Sequence, residues 1–233
     1  MLHVTIAGVV GTWWFDPQDA NSIMSPAIQD SFQRSCTFSL GSICMGSLLV
    51  AIIQTLQQIA HQARRVGHRA SIIVCVIECL LYYVQQIAQY FNKWAMIYVG
   101  LYGYDYLTAG RKVLQLFQER GWTTIINDNL VARVLTLVCV AVGALTGLVG
   151  MLLNQWTGWA AASLGDDAHV WVFLLSFLIG FSLSMITMGV VQSAVDTVIV
   201  CFAEAPNEFQ NNHPALAAQM MVAWRQVYPE CGL

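Results

Sequence analysis

Residues 134–153, VLTLVCVAVGALTGLVGMLL, form an unbroken apolar run without one charged side chain. An α-helix rises about 1.5 Å per residue and a bilayer's hydrocarbon layer is about 30 Å thick, so roughly 20 such residues cross it. Two further stretches read the same way. Residues 169–203 exceed the required length, and no formal charge occurs from Ala168 through Val195. Such a helix must tilt or project beyond the membrane. Residues 40–60, LGSICMGSLLVAIIQTLQQIA, are more polar towards their end through Gln54, Gln57 and Gln58. Lipid offers nothing to backbone N–H and C=O groups, so each stretch has to be a helix.

Composition points to the same class. Of 233 residues, 57% are hydrophobic and 10% charged, with a mean hydropathy of +0.59. Soluble domains carry about 25% charged residues, and disordered chains are far less apolar. The formal net charge of -3 leaves no basic field for nucleic acid. The expected fold is all-α, a multi-pass transmembrane helical bundle with the lipid bilayer as its main partner.

The rest of the chain is placed around these spans. Residues 1–15 are apolar, too short to cross, and end in Trp13, Trp14 and Phe15, like the interfacial end of a truncated span. Residues 71–106 are apolar but carry Glu78, Lys93 and Asp105. Facing lipid, Lys or Asp near the centre of a span costs about 2.5–3.5 kcal/mol, which favours an amphipathic helix lying at the membrane and a second short helix. Arg64, Arg65 and Arg69 follow one span and Arg111, Lys112, Arg120 and Arg133 precede the next, whereas 154–168 hold Asp166 and Asp167 and no base. Positive-inside logic then makes 16–39 an extracellular loop, 61–133 cytosolic or interfacial, 154–168 an extracellular loop and 204–233 a cytosolic tail. Gly143 and Gly147 have the four-residue spacing that lets membrane helices approach closely.

Few chemical motifs are present. No phosphate-cradling loop and no His-Glu-x-x-His occurs, and the five histidines are scattered, so neither metal nor cofactor is expected. Nothing supplies the clustered His and carboxylates that a multi-pass lipid enzyme needs, and no enzymatic activity is expected. The seven cysteines mostly sit in apolar runs as small hydrophobes; Cys75 and Cys79, one turn apart, could alternatively carry an acyl chain. Asp196 stands out. It lies inside the last apolar stretch with six residues, Thr197 to Phe202, still to follow. An intramembrane carboxylate is a candidate site, against the alternative that it caps the stretch at the cytosolic interface. Aromatic clusters at Trp13-Trp14-Phe15 and at Trp94, Tyr98, Tyr102, Tyr104 and Tyr106 can hold a quaternary ammonium through cation–π attraction, or serve as interfacial belts.

The order GTWWF at 11–15, FSLGSICMGSLLVAIIQ at 38–54, the aromatic segment 75–106 with Ala-Gly-Arg-Lys at 109–112, and VDTVIVCFAEAP at 195–206 resembles the C-terminal part of the choline transporter-like family, most of all its fungal and protist branch. The resemblance implies a ten-helix transporter-like fold of which this chain is a C-terminal fragment, helices seven to ten, in the plasma membrane. It implies transport of choline or a similar small organic cation, or alternatively a non-transporting scaffold or trafficking protein of the same fold. Carried onto this chain, it points to Trp13 and Trp14, to the small polar face of Ser42 and Ser47, and to Asp196 as substrate-binding residues.

Overall fold

The computed structural model describes residues 1–20, 25–66, 72–120, 123–157 and 168–227, and every regular element among them is a helix. Arg69, Asp166 and Asp167 lie outside the described residues, as do the side chains of Arg64, Arg65, Cys75 and Arg120. Helices α1 (Leu2–Phe15), α2 (Pro26–Cys36), α3 (Leu40–Val66), α4 (Ile72–Tyr102) and α5 (Tyr106–Arg120) are followed by the long α6 (Thr123–Thr157) and α7 (Ala168–Glu204), then the short α8 (Pro206–Asn212) and α9 (Pro214–Val227). Among the described residues, three stretches are long and apolar enough to cross a membrane: Leu40–Gln62, Leu130–Thr157 and His169–Glu204. The protein is an all-α helical membrane protein.

Proline sets several boundaries. Pro26, Pro206 and Pro214 each open a helix, where the missing N–H costs nothing and φ is already helical. Pro206 cannot extend α7, and Pro214 cannot extend α8, so the chain turns at Ala205 and at His213. Between α4 and α5, Gly103 adopts φ +69°, a left-handed conformation that side chains disfavour. Asp105 then accepts the Thr108 backbone N–H at 3.2 Å and caps α5.

The chain folds into two units. One comprises Met1–Gly121 with Asp196–Leu233. Its centre is the second half of α4, where Trp94, Ala95, Ile97, Tyr98 and Val99 are all fully buried. A helix buried on every face needs neighbours on every side, and α1, α3 and α5 all pack against α4, with Val200 of α7 joining the cluster. Gly100 brings α4 against the α1 backbone. A Cβ there would lie 2.6 Å from the Val4 carbonyl oxygen, so only glycine admits the α1 backbone.

Helix α4 runs antiparallel along α3: Gly46 lies against Asn92 and Met96, and His61 Nδ1 lies 2.7 Å from Glu78 Oε1. The charges of this segment each have a place in the packing. Glu78 meets His61, Lys93 meets Asp196, and Asp105 falls after the helix has ended. The segment 16–39, expected as a loop, holds α2, which packs on α1 through Thr5 Oγ1 donating to Ser35 Oγ at 3.1 Å. The end of α1 also lies against residues 205–213.

The second unit, Trp122–Val195, is an antiparallel hairpin of α6 and most of α7. The expected close approach at Gly143 and Gly147 takes a particular form. The notches admit the rings of Phe177 and Phe173; a Cβ at Gly147 would sit 2.8 Å from the Phe173 ring. Thr146 Oγ1 reaches the Ser176 carbonyl at 3.3 Å, and Asn154 Nδ2 lies 3.3 Å from His169 Nδ1. Outward positions such as Leu137, Leu145 and Ile186 are all exposed and apolar, as lipid contact requires.

Candidate functional site

Asp196 is fully buried, and Lys93 Nζ lies 2.8 Å from its Oδ2 as an ion pair. Taking two ions out of water costs several kcal/mol each, and close pairing offsets that only with good geometry. Their pairing answers how a carboxylate sits in one apolar helix and an ammonium in another. Both ions belong to the first unit, α4 supplying the base and the last turns of α7 the acid. The ammonium also lies 5.8 Å from the centre of the Trp94 ring, within cation–π range. Trp94 stands in an aromatic group with Tyr90 at 6.0 Å and Phe117 of α5 at 5.8 Å between ring centres. The Trp94 indole N–H finds no hydrogen-bond partner among the described residues.

A second polar contact joins α4 to α7 a few residues further along. Tyr98 donates its hydroxyl to Glu204 Oε1 at 2.7 Å. From Lys93 to Tyr98 on α4, and from Asp196 to Glu204 on α7, the two contacts advance in the same chain direction. The helices therefore run parallel here.

The tryptophans make contacts of another kind. Trp14 is fully buried and its indole N–H donates to the Ala205 carbonyl at 3.2 Å. Its ring stacks on Phe209 at 4.5 Å, and Trp13 stacks on His213 at 4.2 Å. A helix ends with unpaired carbonyls. At the end of α1, Asn212 Nδ2 donates to the carbonyls of Trp14 and Phe15 at 3.0 and 2.9 Å, and His213 Nε2 meets that of Trp13 at 2.9 Å. The turn between α8 and α9 is thus the cap of α1.

Ser42 is half-buried and Ser47 exposed on α3; the Ser47 hydroxyl donates back to the Ile43 carbonyl at 2.9 Å. No described contact joins Trp13, Trp14, Ser42 or Ser47 to Asp196. Lys93 is the residue that sequence reasoning missed, having counted it only as a reason against burial. The available signal was complementarity: one lone acid and one lone base in two apolar helices of the same chain. Among the described residues, no three His, Cys, Asp or Glu side chains come together as a metal site.

Fold and site define a class: a multi-helix membrane protein with a buried acid–base pair set beside aromatic rings. Residues 1–207 match the family described as "Plasma-membrane choline transporter". The chain belongs to that family, the choline transporter-like proteins. It is 34% identical to Protein PNS1 of Gibberella zeae, over 98% of this chain and 42% of that protein. It is 35% identical to Protein PNS1 of Mycosarcoma maydis, over 97% of the chain and 42% of the relative. The chain therefore spans about two fifths of the length of these curated relatives.

Proposed function

We propose that the chain contributes to the movement of choline or a similar small organic cation across a membrane, the plasma membrane by its family's description. The observation that carries this reading is the buried Asp196 carboxylate, held with an ammonium beside the Trp94 ring. Carboxylate and aromatic face are the two groups that stabilise an organic cation away from water. In this reading Asp196 is the cation-handling residue. Trp13 and Trp14 support the end of α1 and do not contact substrate, and Ser42 and Ser47 belong to α3's packing and outer surface. In this reading helix α4 crosses the membrane beside α3 with its two charges paired.

Uptake of radiolabelled choline by cells expressing the protein tests this. Asp196→Asn should abolish uptake at unchanged membrane abundance, while Trp13→Phe leaves it near wild type. Equal uptake by wild type and Asp196→Asn removes Asp196 from the pathway. Absence of uptake for any amine favours a membrane scaffold of the same fold.

A further inference from the structure

We propose that Lys93 is a tethered occupant of a quaternary-ammonium site, and that a free organic cation binds at Asp196 only by displacing the Lys93 ammonium. The inference rests on the cation-transport reading above and specifies how its site is kept filled. The surroundings of the Lys93 ammonium carry the argument. A carboxylate lies at 2.8 Å and an indole face at 5.8 Å, with Tyr90 and Phe117 completing an aromatic group around Trp94. A salt bridge needs only the carboxylate. An aromatic face beside a cation recognises a charge without hydrogen-bond donors.

The two ions are unequally held. Asp196 is fully buried, whereas the Lys93 side chain remains 23% exposed. The acid is fixed in α7, and the base reaches it on four flexible methylenes from α4. An empty site would strand a buried carboxylate at a cost of several kcal/mol, so a built-in cation keeps the unloaded protein folded. When a substrate cation takes its place, the charge balance at Asp196 is unchanged. The Lys93 ammonium then swings away from the acid towards its exposed side. Occupancy by substrate and occupancy by Lys93 are mutually exclusive, so the lysine sets affinity and gives the site two states.

The chain provides its own control, because Lys93 and Lys112 are its two lysines and Lys112 is exposed on α5. The wild-type protein in lipid nanodiscs is treated with an amine-acylating reagent across a choline titration, and both lysines are quantified by mass spectrometry. Choline should raise Lys93 acylation relative to Lys112 by about tenfold at saturation, as expected for a shift between two states. Sodium at the same ionic strength should leave the ratio unchanged. In a companion measurement, Lys93→Met should bind choline about tenfold more tightly than wild type, and Lys93→Met with Asp196→Asn should lose that gain. If choline is bound or taken up but Lys93 acylation stays flat, the displacement mechanism is overturned and the transport reading stands. If neither uptake nor binding of choline occurs, both fall.

Discussion

The two units of this protein solve the packing problem of membrane helices in opposite ways. Residues 122–195 use shape: glycine notches accept phenylalanine rings, and Thr146 makes a cross-helix hydrogen bond at 3.3 Å. The other unit, 1–121 with 196–233, uses charge and capping. An ion pair with a fully buried acid, a tyrosine–carboxylate bond and a cap for α1 tie residues far apart in sequence. In lipid, apolar surface gains little from finding apolar surface, so contacts rest on dispersion and on polar groups. Among the described residues, the polar groups buried in the hairpin, Asn154, Ser184 and Ser193, carry no charge. The ion-pair unit concentrates costly groups at one place, and costly groups are where function is found.

The largest effect should follow from breaking the pair on one side only. Asp196→Leu strands the Lys93 ammonium and should destabilise the first unit by about 3–5 kcal/mol, read as chemical unfolding in mixed micelles. A loss below about 1 kcal/mol would mean that the pair is hydrated and that charge does not organise this unit. In the hairpin, Gly147→Leu overpacks the notch filled by Phe173 and should cost about 1–3 kcal/mol. Hydrogen exchange should show that loss within 134–195 and leave the amides of 94–100 as protected as in wild type. Equal loosening in both would erase the distinction between them.

Smaller effects belong to the caps. Asn212→Ala leaves the carbonyls of Trp14 and Phe15 without that donor and should cost about 1 kcal/mol. Limited proteolysis should then release α8 and α9 faster while α6 and α7 resist as before. The smallest effect is at Asp105. The Thr108 hydroxyl and backbone N–H donate to its carboxylate and hold it below the ordinary 3.8. Because the charged form is favoured in the fold, this contribution is complete above 3.8 and is lost as pH falls through the depressed value. A carboxyl carbon titration by NMR should find a midpoint under 3.8, and one at or above it would remove the cap.

How much of this was legible in the sequence depended on the range of the forces involved. Spans such as 134–153 declare themselves because every residue contributes to one local property, apolarity over a fixed length. Gly143 and Gly147 marked a close approach, though not that Phe177 and Phe173 would fill it. Asp196 was visible as an anomaly, but its partner lies on another helix, 103 positions away at Lys93, and no local pattern links them. Trp13 and Trp14 show the converse limit. Cation cage, interfacial belt and helix cap call for the same side chains, and the groups these two meet, Ala205, Phe209, Asn212 and His213, lie 191 to 200 positions further along the chain.

A double-mutant cycle on Lys93 and Asp196 tests the account most directly. Lys93→Met and Asp196→Leu, singly and together, would be compared by unfolding in the same lipid. Each single variant should be strongly destabilised, and the double variant, which leaves neither ion without its counter-charge, should be more stable than either. Additive losses, with the double variant the least stable of the four, would contradict it.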